Sequence, residues 1–306
     1  MTEISSPING KFGLVGIFGR ANAGKSTLVN ALVGEMVSIV SSRPQTTRKK
    51  ILGIVTRNES QVVFCDTPGL HQIKNKLDAY MICEIESVPK VVCGAVYLFD
   101  STDLRLEEDR GYIEKLFSGV NTPKIALLTK IDSPKSKVNS SLIEEISKLG
   151  KFDSILEISS KSGKGLEQVW KEIVCWLPEG PHAYSSEDYT TQTEREICEE
   201  VIREEILSCF YQEVPHSVAV TIDEFKEREN GKTYVSAVLN VEKEGHKKIV
   251  IGTKGENLKK LGMAARLRLN SQLGRDFYLS LWVKVRPNWR KNEDWIRKLG
   301  YKPQVL

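Results

Sequence analysis

The chain contains no run of the roughly 18 apolar residues that a membrane-spanning helix needs, so no spanning helix is expected. It also lacks any Cys-x-x-Cys pair. Its six cysteines (Cys65, Cys83, Cys93, Cys175, Cys198, Cys209) are scattered, as are its four histidines. That argues against a zinc site, a redox pair or a disulfide framework and for buried thiols in a reducing cytosol. Residues 1–10 are polar and lack an apolar core, so no secretory leader is expected. Internal repeats and low-complexity segments are absent.

What is present is enough for two domains: 306 residues, 40% hydrophobic and 27% charged. The net charge is only +4, but Val241–Leu306 holds 16 Lys/Arg against 6 Asp/Glu. A basic end on a nearly neutral chain suggests a polyanionic partner, with a plain solvated surface as the alternative.

Strand-length apolar runs at Leu14–Phe18, Gln61–Cys65, Ala95–Phe99, Lys124–Thr129 and Ser154–Ile158 alternate with helical stretches at Ser26–Val33, Glu107–Phe117, Ser140–Leu149 and Leu166–Trp176. This pattern predicts an α/β domain over residues 11–177, a mostly parallel sheet with helices on both faces. A tail precedes it at 1–10, and a polar linker follows at 178–193. The remainder, 194–306, reads as α+β: a helix at Glu194–Tyr211, strands at Ser217–Ile222, Thr233–Val241 and Lys247–Ile251, a basic helix at Gly255–Leu273, a strand at Phe277–Arg286, a short helix at Asn292–Leu299 and a tail.

Gly19-Arg20-Ala21-Asn22-Ala23-Gly24-Lys25-Ser26 is a complete Gly-x-x-x-x-Gly-Lys-Ser loop between a strand and a helix that continues with Thr27. Its glycines let backbone N–H groups converge on a phosphate chain at a helix N-terminus. Lys25 then reaches the β/γ-phosphates and Ser26 holds Mg²⁺. Asp66-Thr67-Pro68-Gly69 follows an apolar strand; Asp66 is placed to hold Mg²⁺ through water, and Gly69 to bring a backbone N–H to the γ-phosphate. Within the polar stretch Ser41–Lys50, Gln45-Thr46-Thr47-Arg48 offers a hydroxyl to complete the Mg²⁺ shell, with Thr47 preferred to Thr46. Thr129-Lys130-Ile131-Asp132 ends another strand. The Asp132 carboxylate suits guanine's paired N–H donors and discriminates against adenine, and Lys130 can lie across the base. Ser159-Ser160-Lys161 can give a backbone N–H to guanine O6.

These five segments, in this order, resemble the motifs of the translation-factor class of GTPases. Thr129 stands where asparagine is usual, and Ser160 replaces an alanine. Leu70 stands where Ras-like enzymes carry a water-orienting glutamine. The resemblance therefore implies another way of placing water, and a K⁺ ion held partly by Asn22 is a candidate. The bland reading of Asn22 is a loop-capping residue.

In the basic part, Ile251-Gly252-Thr253-Lys254-Gly255 places a Gly-x-x-Gly loop after an expected strand and before a basic helix. Such a loop can press against a nucleic-acid backbone. Lys254, Lys259, Lys260, Arg266 and Arg268 are candidates for phosphate contacts. The order helix–strand–strand–helix–strand resembles a type II KH domain. GTPase motifs followed by this module resemble the Era family of ribosome-assembly GTPases over nearly the whole chain.

The resemblance implies a slow, Mg²⁺-dependent GTPase, with GTP/GDP and Mg²⁺ as cofactors, K⁺ as a further candidate, and Lys25, Thr47 and Gly69 as the groups nearest the chemistry. Its implied partners are the single-stranded 3′ end of small-subunit ribosomal RNA and the small ribosomal subunit precursor. A cytoplasmic monomer is expected, with peripheral contact at the cytoplasmic face of the inner membrane left open. An RNA-binding adaptor with a merely structural nucleotide site and a membrane-surface GTPase are the competing readings.

Overall fold

The computed structural model describes residues 9–302 except 42, 44 and 230. The expected N-terminal tail lies outside the described residues up to residue 8, and the end of the C-terminal tail, 303–306, does likewise.

The first domain runs β1 (Asn9–Gly19), α1 (Lys25–Val33), β2 (Ile51–Arg57), β3 (Ser60–Asp66), α2 (Lys76–Ser87), β4 (Gly94–Asp100), α3 (Leu106–Phe117), β5 (Lys124–Thr129), α4 (Ser140–Leu149), β6 (Ser154–Glu157) and α5 (Leu166–Val174). The strand order is β2-β3-β1-β4-β5-β6, parallel except for antiparallel β2 at the edge. Alternate residues of the central strands face opposite sides. Val96, Leu98, Ile125 and Leu127 pack with Leu28, Val29 and Leu32 of α1 and with Val169 and Ile173 of α5. Ala95, Tyr97, Phe99, Ala126 and Leu128 pack with α2, α3 and α4. This two-sided burial explains why the strands read as continuous apolar runs.

Sequence patterning missed α2 and β2. The signal for α2 was local: Asn75 caps it, accepting from the Asp78 N–H at 3.1 Å. For β2, Gly53 interrupted an otherwise strand-like run.

The segment expected as an irregular linker is docked instead. Its β7 (Glu179–Pro181) pairs antiparallel with β1, the Ile54 N–H donates to the Tyr189 carbonyl, and Thr190 bonds the Leu52 carbonyl at 2.9 Å. The fully buried Gln61 amide accepts from the Ala183 and Tyr184 N–H groups and donates to the Tyr184 carbonyl.

The second domain follows as α6 (Glu194–Cys209), β8 (Ala219–Glu227), β9 (Thr233–Val241), α7 (Glu244–Ile251), α8 (Glu256–Leu273), β10 (Phe277–Val285) and α9 (Glu293–Lys298). A reciprocal Thr193/Glu196 capping box starts α6. The sheet order is β10-β9-β8, with β9 parallel to β10 and antiparallel to β8. One sheet face packs on α6, α7 and α8.

One expected element is wrong. Lys247–Ile251 is part of helix α7, so the order is helix–strand–strand–helix–helix–strand, and the Gly-x-x-Gly loop joins two helices. The β-branched Ile-Val-Ile run favoured a strand reading, but a short apolar run does not distinguish the two states by itself. Packing decides: His246 and Val250, four apart, are buried on one helical face while Ile249 is exposed.

The domains share an apolar seam. Leu77, Tyr80 and Met81 of α2 pack with Ala219, Trp289, Ile296, Leu299 and Tyr301. Trp289 is fully buried and its indole N–H donates to the Ser217 carbonyl at 2.8 Å.

Substituting Gln61→Leu removes the acceptor of the Ala183 and Tyr184 N–H groups and the donor to the Tyr184 carbonyl, the hydrogen bonds that dock this segment. The expected loss is about 1–3 kcal/mol in urea unfolding, with faster proteolytic nicking between 183 and 192.

Candidate functional site

The order of strands turns back at β1, and ligands on such sheets bind at the carboxyl ends of the strands there. The loop Gly19–Ser26 occupies that end, with Gly24 heading α1. A cavity of about 230 Å³ lies over it, bounded by Ala21–Asn22, Gly24–Thr27, Gln45–Thr47, Gly69 and Lys130. Lys25 is buried and donates to the Gly19 and Arg20 carbonyls at 3.0 and 2.9 Å. Burial lowers its ammonium pKa to about 8, against the opposing pull of Asp66.

The three oxygen donors expected to meet a divalent cation converge. Ser26 Oγ donates to Asp66 Oδ2 at 2.6 Å and lies 2.9 Å from Thr47 Oγ1. Asp66 is wholly buried, its Oδ1 has no hydrogen-bond partner among the described residues, and burial pushes its carboxyl pKa up. A hard cation with oxygen ligands fits this set and would relieve the buried charge. The Thr46 hydroxyl turns elsewhere, donating to the Arg43 carbonyl at 2.6 Å.

Gly69 abuts the phosphate loop: a Cβ there would sit 2.6 Å from Ala21 Cα. The Thr67 hydroxyl donates to the Ile17 carbonyl at 2.6 Å, fixing the end of β3 to β1, and Pro68 lies between these two anchors. Leu70 is buried in the sheet's second core, and its N–H donates to the Gly19 carbonyl.

The loop residue Arg20 does not line the cavity and meets the site only through its carbonyl, which accepts from Lys25. Its guanidinium is turned away, onto the buried Asp109 carboxylate at 3.1 and 3.2 Å, which also accepts from the Tyr97 hydroxyl. Asn22 is exposed on the cavity rim with φ 65°. Ala23 is buried, and its carbonyl accepts from the Thr129 hydroxyl at 2.8 Å. Thr129 thereby ties the base-recognition strand to the phosphate loop.

Asp132 is exposed, and a hydrogen bond from Ser159 lowers its carboxyl pKa. The Lys130 ammonium is 2.5 Å from Asp100. Ser159 is buried, while Ser160 and Lys161 are progressively more exposed. Asp132 and the 159–161 turn lie at adjoining strand ends, the Ile131 N–H donating to the Ile158 carbonyl.

Sequence reasoning missed Asp78, whose partners are distant in the chain or local to a helix it had not found. Its Oδ1 accepts from the Gln45 amide at 2.9 Å and lies 3.3 Å from His71 Nε2. Its Oδ2 accepts from the Lys74 N–H and the Asn75 amide. One buried carboxylate thus joins the loop of Thr47 to the loop after Gly69.

In the second domain, Gly252 has φ 72°, and a Cβ there would sit 2.7 Å from the Asn257 side chain. Thr253 and Lys254 are exposed at the tip, and Ile251 and Gly255 are partly exposed. A groove of about 380 Å³ runs from Gly255 along Lys259, Gly262, Met263 and Arg266 of α8 to Leu279 and Leu281 of β10. Lys260 is exposed on the same helix. Arg268 does not join them: it is occupied by Glu204 at 2.8 Å and Glu205 at 3.4 Å.

A phosphate loop with a guanine-type strand end, followed by a Gly-x-x-Gly module, defines a P-loop GTPase joined to a KH domain. Residues 14–130 match the family described as 50S ribosome-binding GTPase, and residues 213–290 match the KH domain family. The chain is 39% identical over 292 residues to the GTPase Era of Ruminiclostridium cellulolyticum, covering 95% of this chain and 98% of the relative. It is 42% identical over 294 residues to that of Caldanaerobacter subterraneus, covering 94% and 97%. Among solved structures, Aquifex aeolicus Era bound to GDP·AlF4⁻ superposes with a TM-score of 0.90 at 35% identity. An Era in complex with MgGDPNP and nucleotides 1506–1542 of 16S ribosomal RNA gives 0.88 at 33%. Each covers 95% of this chain and 99% of its own. The chain belongs to the Era family of GTPases.

Contact with phosphate favours the charged form of Lys25 and so raises its pKa on nucleotide binding. Binding takes up a proton, and affinity falls as pH rises through about 8. Calorimetry of GDP binding in buffers of different ionisation enthalpy near that pH should show net uptake, absent in Lys25→Met.

Proposed function

We propose that this GTPase binds the single-stranded 3′ end of small-subunit ribosomal RNA and assists assembly of the small ribosomal subunit, its nucleotide state acting as the switch. The observation that carries this reading is the docking of α2, and of the loop of Thr47 through Arg48, against a domain that presents a Gly-x-x-Gly tip and a basic groove. The relative captured with 16S ribosomal RNA supports the choice of partner.

Water attacks the γ-phosphorus as the bond to the β–γ bridging oxygen breaks, yielding GDP and phosphate. The Lys25 ammonium and the backbone N–H groups of the phosphate loop and Gly69 stabilise the developing charge. Ser26, Thr47 and Asp66 would hold Mg²⁺, which neutralises phosphate charge when bound. Asp132, Lys130 and the Ser159–Lys161 turn select guanine. Leu70 offers no polar group to the water, so its orientation falls to the backbone around Thr47 and Gly69. With the Arg20 guanidinium engaged by Asp109, K⁺ beside Asn22 is the candidate for the charge that an arginine finger supplies elsewhere.

The protein acts as a cytoplasmic monomer on the small-subunit precursor. Among the described residues no helix is long and apolar enough to cross a membrane. Contact with the inner membrane would be peripheral, through the basic C-terminal part.

Replacing both Gly252 and Gly255 with aspartate should abolish binding of an RNA oligonucleotide matching the 3′ end, leaving GTP affinity and hydrolysis intact. Unchanged RNA affinity would refute the interface. Loss of Lys25 without loss of hydrolysis, or equal turnover of ATP, would refute the nucleotide site. Absence of single-turnover hydrolysis in wild-type protein would favour an adaptor.

A further inference from the structure

Arg48 follows Thr47 in a loop on the cavity rim, yet it is only 2% exposed. Its guanidinium leaves the first domain altogether. Nη1 donates to the Val218 carbonyl at 2.7 Å and the Tyr301 hydroxyl at 3.2 Å; Nη2 donates to the His216 carbonyl at 2.9 Å and approaches that of Pro215 at 3.5 Å. The guanidinium carbon lies 6.0 Å from the centre of the Trp289 ring. Every acceptor is neutral, and among the described residues Arg48 makes no ion pair with a carboxylate. Burial accordingly makes its proton easier to lose than usual. A desolvated charge held only by dipoles is costly and persists only where several donors and acceptors fix it together.

The two neighbouring side chains reach different domains. Thr47 reaches Ser26 at the phosphate loop, and Arg48 reaches the turn before β8 and the C-terminal segment. The peptide between them is therefore held from both sides. We propose that Arg48 is a positioning residue for GTP hydrolysis: seated in the second domain, it holds Thr47 at the foot of the phosphate loop, so the reaction depends on the docked arrangement of the two domains.

This rests on the reading of Thr47 as a ligand at the γ-phosphate end of the site. A displacement of about 1 Å there can cost on the order of 10²-fold in rate. GDP, which lacks the γ-phosphate, should not sense it.

The test uses full-length wild type, Arg48→Ala, Arg48→Lys, Tyr301→Phe and Thr47→Ala. Single-turnover GTP hydrolysis with Mg²⁺, the affinities of GDP and a non-hydrolysable GTP analogue, and thermal unfolding are measured for each. Arg48→Ala should slow hydrolysis about tenfold or more and weaken the analogue severalfold, with GDP affinity changed less than about twofold. Arg48→Lys should recover part of the rate, and Tyr301→Phe should lose a smaller part. If Arg48→Ala does not fold, Arg48→Lys and Tyr301→Phe decide: wild-type rates in both overturn the proposal. So does a folded Arg48→Ala that hydrolyses like wild type, or one that loses GDP and analogue equally. Thr47→Ala separates the two readings. Its loss of activity beside an unaffected Arg48→Ala refutes the Arg48 role alone; wild-type activity in Thr47→Ala refutes the underlying ligand assignment and the proposal with it.

Discussion

Asp66 is a carboxylate buried completely at the end of a strand, and a buried carboxylate must be met by hydrogen bonds or by a cation. Much of the first domain serves that meeting. The parallel register pairs Ile17 of β1 with Asp66 of β3, so the phosphate loop that follows β1 begins beside the carboxylate. The hydroxyl of Thr67 bonds the Ile17 carbonyl, which keeps the two strand ends together. Ser26 donates to one carboxylate oxygen and Thr47 approaches Ser26, while the other oxygen, without a hydrogen-bond partner among the described residues, is where a hard cation would fit.

The requirement extends beyond one domain because the loop that delivers Thr47 is itself held from outside. Gln45 of this loop bonds Asp78 at the start of α2, and the same carboxylate faces His71 of the neighbouring loop. The other side of α2 packs on Trp289, Ile296 and Tyr301. Arg48 passes from the loop into the turn before β8. Both loops that would sense a γ-phosphate thus share their supports with the RNA-binding domain. A change at either end has a short, packed route to the other, the physical precondition for coupled binding.

Much of this was legible in the sequence because it is local. A phosphate loop needs its glycines and lysine at fixed spacing, and doubly buried strands announce themselves as apolar runs. What escaped depends on distant partners. Arg48 sits in a polar stretch that reads as a solvated basic loop, and only the fold shows its acceptors some 170 residues away. Arg20 looked like part of the nucleotide site, but Asp109, 89 residues on, claims its side chain. Arg268 looked like a phosphate contact until Glu204 and Glu205 met it. The helix at Glu244–Ile251 was misread because β-branched residues favour strands in isolation, whereas here tertiary packing selects the helical face. The docked linker depended on Gln61, a polar residue inside a strand whose partners no local pattern reveals.

If the shared loop and seam couple nucleotide state to RNA occupancy, RNA affinity must differ between the two nucleotide states. The most direct measurement is the affinity of an oligonucleotide matching the 3′ end of small-subunit ribosomal RNA, with Mg²⁺ and saturating GTP analogue or GDP. Binding about tenfold tighter with the analogue is expected, within the usual range of coupling between sites. Equal affinities in the two states would contradict it.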